Sequence, residues 1–338
     1  MIDVLIAGGG PAGLATACHA ALAGMEAVVV EPRAAPVDKA CGEGLMPTGI
    51  EALRSLGVDP EGWPLRGITY LDAAGSVTAP FPRGRSGLGV RRTILHEALA
   101  KRAADLGVRV VAGRVGRFRQ GPDAVEADGF GRARWLVAAD GLHSPLRAAL
   151  GLTVTSGRGR RHGLRRHFAV APWSPHVEVH WSTGAEAYVT PVGPELVGVA
   201  VLSSRRVPFD DHLAAFPALR ERLGPPCTPV RGAGPLRQSA KAPVAGRVLL
   251  VGDAAGYVDA LTGEGISLAV RSAEALISAL SQRNPDMYQR DWRRLSRRHR
   301  ALTEVLVAVR GNRVTGDLIA PAARRLPWAF RAAVALLA

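Results

Sequence analysis

Gly8, Gly10 and Gly13 are spaced GxGxxG in the stretch LIAGGGPAGLATA, with Ala12 inside the same turn. That spacing can hold a phosphate. The first glycine permits a tight turn, the second lets backbone approach a pyrophosphate, and the third lets a helix pack closely on a strand. Free N–H groups and the partial positive charge of the helix N-terminus complete the cradle. Glu31 closes the next apolar run, EAVVVE, about 20 residues beyond the loop, where a carboxylate accepts the hydroxyls of an adenosine ribose. An acidic residue there favours an unphosphorylated ribose, as in FAD or NAD, over NADP. A nicotinamide dehydrogenase would add a catalytic His or Lys near this loop, and the sequence offers no such constellation.

The loop works only if strands and helices alternate around it. DVLIAG and EAVVVE predict two strands with a helix between them. In GLGVRRTILHEALAKRAADLG, Leu95, Leu99 and Leu106 sit at helical spacing ahead of the strand VRVVAG, and RARWLVAAD adds a further strand. This alternation predicts a doubly wound α/β unit with a parallel sheet. From about residue 160 the pattern changes. RHFAVAPW, HVEVHWS, EAYVTPVG and ELVGVAVLS are β-rich runs separated by turns, which predicts an antiparallel sheet. GRVLLVGDAAG then restores a continuous apolar strand, a glycine turn and a helix from about Gly263. The first domain is therefore discontinuous, over residues 1–65, 86–158 and 240–285. The inserted domain takes residues 66–85 and 159–239, and residues 286–338 form arginine-rich C-terminal helices with a short apolar tail.

Composition narrows the function classes. The chain has 338 residues, 47% of them hydrophobic, and a net charge of +14. Such a charge points to nucleic acid or anionic surfaces. Yet only Lys39, Lys101 and Lys241 are lysines among 43 basic residues, so 40 are arginines spread through the chain. Without interleaved aromatic residues they make no stacking platform, and nucleic acid is not expected as a partner. Cys18, Cys41 and Cys227 provide neither a disulfide framework nor a CxxC metal spacing, so a cytoplasmic setting and no metal are expected. No run approaches the roughly 18 apolar residues of a membrane span. Peripheral membrane contact by the apolar tail stays open, as does oligomeric state.

Two later motifs separate FAD from NAD. AADGLHSPLR, from Ala138 to Arg147, and LLVGDAAGYVDALTGEGISLA, from Leu249 to Ala269, follow the N-terminal loop in order. With them the sequence resembles the FAD-dependent oxidoreductases of the para-hydroxybenzoate hydroxylase fold. KACGEGLMP and GEGI look most like the geranylgeranyl reductase branch and its secondary-metabolite relatives. The resemblance implies FAD, with NAD(P)H as a transient reductant. It gives Asp253 a ribityl hydroxyl, and it sets Gly263, Gly265 and Ile266 at a helix start facing the ring edge where charge builds on reduction. It places Asp140 and Gly141 between the FAD site and the nicotinamide route, or in a plain strand-to-helix turn. Arg92, with Arg91 competing, falls beside the cofactor. Ala260 stands where many relatives carry proline, so the loop after Asp259 differs in shape. The activity implied first is NAD(P)H-dependent hydroxylation of an apolar aromatic or polyketide-like metabolite. Reduction of a carbon–carbon double bond in an isoprenoid or similar substrate is the alternative, and a non-catalytic flavin-binding module is the rival from another class.

Cys41 and Gly42 fall in a glycine loop after Lys39. The thiol either lies against the flavin ring, as a catalytic or substrate-placing group with its pKa lowered by nearby positive charge, or packs behind it as a small buried residue. Glu43 is read as a loop carboxylate. His176, Glu178 and His180 alternate along one strand and are expected on a solvated face, with Val177, Val179 and Trp181 on the apolar one. Tyr188 and Trp173 are candidates for the substrate cavity or for core packing. GAGPL at Gly232 is read as lacking the strand and helix of a second nucleotide fold.

Overall fold

Residues 1–154, 161–312 and 315–337 are described by a computed structural model. The expected domain boundary at 158 and 159 lies outside them. The larger sheet runs in the order Val244–Ala245, Val248–Leu250, Gly131–Ala138, Ile2–Ala7, Ala27–Glu31, Arg109–Ala112. Its strands from Val248–Leu250 to Arg109–Ala112 pair in parallel. Alternate residues of Ile2–Ala7 feed opposite faces. Val4 and Ile6 pack with Leu14, Leu99 and Leu276, whereas Leu5 and Ala7 pack with Val125, Leu146 and Leu250. A strand buried on both faces must be apolar throughout, which explains the unbroken hydrophobic runs. Three helices, Pro11–Leu22, Arg92–Asp105 and Gly265–Ser281, cover the first face. Leu99 and Leu276 are fully buried there, each contributing about 2 kcal/mol of burial free energy.

The second sheet has seven strands, in the order Arg231–Ala233, His162–Ala169, Leu196–Ser203, Ala185–Gly193, Val177–Ser182, Gly67–Asp72, Gly75–Pro80. It is antiparallel except where Val177–Ser182 meets Gly67–Asp72 in parallel. That exception arises because the hairpin 67–80 comes from a distant part of the chain and adds to the edge of the later block. GAGPL is not strandless, since Arg231–Ala233 pairs with His162–Ala169 at the other edge.

One face of this sheet meets the cavity between the two sheets, and the other is not solvated as expected. Glu178 is buried, accepts hydrogen bonds from Trp173 Nε1 (3.0 Å) and binds His180 Nε2 (3.0 Å). Val189, Val199, Phe209, Phe216 and Leu219 form a core on this side. The short helices Phe209–Leu213 and Pro217–Arg222 cover the face. Trp173 belongs to this outer layer, with the Arg222 guanidinium 4.4 Å from its ring, and does not line the cavity. Val177, Val179 and Trp181 form the apolar face expected of them.

The C-terminal segment makes the helices Pro285–Gly311, Ile319–Arg325 and Pro327–Leu337. Ala320, Phe330 and Val334 pack against Ile68, Ala79 and Trp181 and so roof the second sheet. No described helix is long and apolar enough to cross a membrane.

Candidate active site

The glycine turn is held by backbone contact. Gly8 has φ +112°, and a Cβ on Gly13 would fall 1.8 Å from the Gly8 carbonyl oxygen. Neither position tolerates a side chain. The helix Pro11–Leu22 therefore starts tight against the first strand, with Gly10, Pro11 and Ala12 lining a cavity of about 760 Å³. Glu31 sits behind this turn and is occupied by its own chain. Gly9 N–H donates to its Oε2 (2.8 Å), and Arg33 Nε donates to its Oε1 (2.7 Å). These bonds hold the carboxyl below its usual range even though burial opposes them.

The next wall carries charge without partners. Arg92 opens the helix Arg92–Asp105, is 6% exposed, and its Nη1 has no hydrogen-bond partner. Arg92 lines the cavity and Arg91 does not. Burial lowers the pKa of Lys39 and of Arg92, and in both the Arg33 charge lowers it further while Asp253 opposes. Asp253 enters from the short helical turn Gly252–Ala255, and burial pushes its carboxyl up against the pull of Lys39, Arg92 and Arg147. Arg147 was not singled out from the sequence. It donates to the carbonyls of Ala254 (3.0 Å) and Leu142 (3.0 Å), bracing the two loops that the later motifs form. Asp140 accepts the Leu146 N–H (3.1 Å) at the start of the helix Pro145–Ala149, while its buried Oδ1 has no partner and the residue lines the cavity. Asp140 is thus a strand-to-helix turn residue that also lines the cavity.

Gly263, Gly265 and Ile266 line the cavity where the helix Gly265–Ser281 begins, two residues later than expected. Ile266, Val270, Ala273 and Leu280 supply the apolar stripe that seats this helix on the first core. Glu264, at its N-cap, is held by His299 Nδ1 (2.8 Å) from the C-terminal helix.

Cys41 and Gly42 line the cavity opposite. The thiol is not a thiolate site. Burial, and next the charge of Glu43, raise its pKa, and the opposing pull of Arg92 and Arg165 does not reverse this. Glu43 is more than a loop carboxylate. Its Oε1 accepts the Arg92 backbone N–H (2.9 Å), and its Oε2 meets His167 Nε2 (2.7 Å) on the second sheet. Arg165 Nη1 lies 3.1 Å from His167 Nδ1. Arginine can only donate, so Nδ1 accepts and the ring proton sits on Nε2, pointing at Glu43. His167 and Arg165 left no signal in the sequence, because only strand pairing brings them across to residue 43.

The cavity changes character beyond Cys41. Its far part is lined by Ile68, Val179, Tyr188, Leu306, Ile319 and Phe330. No group of three or more His, Cys, Asp or Glu among the described residues could hold a metal ion. An extended dinucleotide fits what is present. The glycine turn admits a diphosphate, the buried Arg92 has a guanidinium nitrogen free for an anion, the exposed Lys39 adds positive charge, and Asp253 offers acceptors. These residues would hold FAD with its ring toward the apolar part.

Comparison with known proteins agrees. Residues 1–214 match the FAD binding domain family. The chain is 31% identical over 317 residues to menaquinone reductase of Mycobacterium tuberculosis (strain ATCC 25618 / H37Rv), covering 83% of this chain and 77% of that protein. It is 30% identical over 296 residues to dialkyldecalin synthase of Streptomyces rugosporus, covering 80% of this chain and 63% of that one. The crystal structure of p-nitrophenol 4-monooxygenase from Pseudomonas putida DLL-E4 has the same fold, with a TM-score of 0.81 at 20% identity, over 100% of this chain and 95% of that one. The glycine turn, the cation-rich cleft and the family match over most of the chain lead to one conclusion: this chain belongs to the FAD binding domain family and is an FAD-dependent oxidoreductase.

Proposed function

We propose that the chain reduces a carbon–carbon double bond in an apolar, isoprenoid-type substrate, with NAD(P)H as the transient source of electrons. The carrying observation is the layout of the cavity, where a charged dinucleotide cleft opens directly into an apolar chamber roofed by the C-terminal helices. The 31% identity to a menaquinone reductase supports the same direction. When bound, FAD supplies hydride transfer.

The chain's own residues bind, orient and exclude water. Lys39 and Arg92 would neutralise the diphosphate. Asp253 would accept a hydrogen bond from a hydroxyl of the ribityl chain, and the N–H groups at the start of Gly265–Ser281 would donate to the polar edge of the ring. Gly8 and Gly13 let the helix approach, Gly10 and Ala12 line the diphosphate path, and Glu31 fixes the turn through Gly9. Cys41 and Gly42 would form the wall between ring and substrate, with a thiol that stays protonated. Roof residues such as Ile319 and Phe330 shield the reacting carbons from water.

A second reading, oxygen-dependent hydroxylation of an aromatic or polyketide-like substrate, is favoured by the phenols of Tyr70 and Tyr188, which line the otherwise apolar chamber. Turnover of prenylated quinones and enones under nitrogen separates the two. The reductase reading expects a product that has gained two hydrogens without oxygen. Product formed only in air, with label from isotopic oxygen, would replace it by the second reading. In either case a small apolar substrate, a cytoplasmic setting and no nucleic-acid partner are proposed.

A further inference from the structure

Strand register arranges the cavity face of the second sheet in cross-strand rows. The row nearest Cys41 runs Ile68, Val177, Thr190, Gly198, His167. The next runs Tyr70, Val179, Tyr188, Ala200, Arg165, and the third runs Trp181, Glu186, Leu202. Almost every polar group on this face is committed. Thr190 Oγ1 donates to the Gly42 carbonyl (2.8 Å), and His167 is held by Glu43. Arg165 pairs with Asp38 and the Lys39 carbonyl, and Glu186 pairs with Arg161 and Arg310.

Trp181 Nε1, buried without a hydrogen-bond partner, is one exception, and Tyr70 and Tyr188 are the other two. The Tyr70 hydroxyl has no hydrogen-bond partner among the described residues. The Tyr188 hydroxyl reaches the Leu261 carbonyl at 3.5 Å, at the outer limit for such a bond. Both residues line the cavity, one strand to either side of Val179. The Tyr70 ring is pinned between Trp181 (5.1 Å, edge on) and Phe330 (4.3 Å), so its direction is set by packing. Burial raises the pKa of both phenols, and the neighbouring Glu186 raises them further. They therefore stay protonated and remain donors. Half-buried at the cavity wall, these hydroxyls can donate to a guest. A ligand that brings an oxygen into this row supplies the acceptor, and a pure hydrocarbon does not.

We propose that Tyr70 and Tyr188 form a two-phenol subsite that recognises one carbonyl or hydroxyl oxygen on an otherwise apolar substrate. The oxygen would sit beside the Ala260–Leu261 segment, next to the cofactor cleft. This inference rests on the reading of the chamber as a substrate site. It goes beyond that reading by requiring an oxygenated substrate, whichever reaction follows.

The test uses the FAD-loaded enzyme and two probes, a prenylated naphthoquinone and the prenylated naphthalene that lacks its oxygens. Binding is measured by perturbation of the flavin spectrum and by equilibrium dialysis. The wild type should prefer the quinone. Tyr70→Phe and Tyr188→Phe should each weaken quinone binding about 3- to 10-fold. The naphthalene affinity, the FAD affinity and the Tm should stay as in the wild type. Equal losses for both probes, no loss for either, or a wild type that binds neither probe or does not distinguish them would overturn the subsite. A holoenzyme that is yellow and turns over but fails these comparisons sinks the subsite alone. A chain that takes up no FAD sinks the functional reading as well, and the spectrum reports that before any probe is added.

Discussion

The two halves of the cavity handle charge in opposite ways. Around the glycine turn, Lys39 and Arg92 crowd together beside the charge of Arg33, and Arg92 has an unpartnered nitrogen. Across the chamber, the charges of the second sheet are paired off: Arg161 with Glu186 and Asp259, Arg310 with Glu186, and Arg165 with Asp38. Buried charge is costly unless compensated. A wall with a buried guanidinium nitrogen left unpartnered suits an anion that arrives later, and a wall that neutralises its own ions suits an apolar guest. The contrast separates cofactor from substrate within one continuous space.

The severest way to break the contrast is to remove the turn that admits the anion. Gly13→Val puts carbon onto the Gly8 carbonyl, where a Cβ already comes to 1.8 Å. We expect a loss of about 3 kcal/mol or more, seen as a sharp fall in Tm and a purified protein without flavin colour. Native stability in this variant would refute the backbone account of the turn.

Arg92→Ala should separate stability from binding. FAD affinity should fall about 10- to 100-fold, as for loss of a charge-assisted hydrogen bond, while the Tm of the FAD-free protein holds or rises because a crowded cation is gone. If fluorescence titration and melting fall together, the cation is structural and the contrast fails on the cofactor side.

The paired side is tested by pH. Burial raises the Asp259 carboxyl to about 6, despite the pull of Arg161. A carboxyl raised above its unfolded value contributes stability that is full below that unfolded value, 3.8, and is lost as pH rises through 6. The loss is on the order of 2 to 3 kcal/mol. Melting curves between these limits should therefore show a downward slope with pH in the wild type, and Asp259→Asn should flatten it.

The smallest effect concerns thiols. Cys227 is exposed, whereas Cys41 is held protonated by burial and by Glu43. Alkylation followed by mass spectrometry should label Cys227 well before Cys41 at neutral pH, and faster labelling of Cys41 would show a thiolate.

Local features of this molecule were readable from the chain, and features made by tertiary pairing were not. The glycine turn and the double-faced strands are short-range, so Gly8, Gly13 and the runs ending at Glu31 announce themselves. The polar face of Glu178 and His180 reads as solvated because its cover, Phe209 and Phe216, lies some thirty residues later along the chain. Cys41 was expected to feel the neighbouring cations. Its acid–base state is set instead by burial and by Glu43, whose position depends on His167 across the sheet junction. Tyr70 gave no signal because it joins the chamber through the parallel junction at Val179, which no local pattern reveals. The roof has the same origin, since Phe330 and Val334 meet Ile68 only after the C-terminal helices fold back.

Titration of FAD into flavin-free protein, wild type beside Asp253→Ala and followed by visible absorption and fluorescence quenching, bears most directly on the central claim. The account predicts stoichiometric uptake with a flavin spectrum in the wild type and at least tenfold weaker uptake in the variant, at about 1.4 kcal/mol per tenfold. Equal affinity of the two proteins, or no uptake by the wild type, would contradict it.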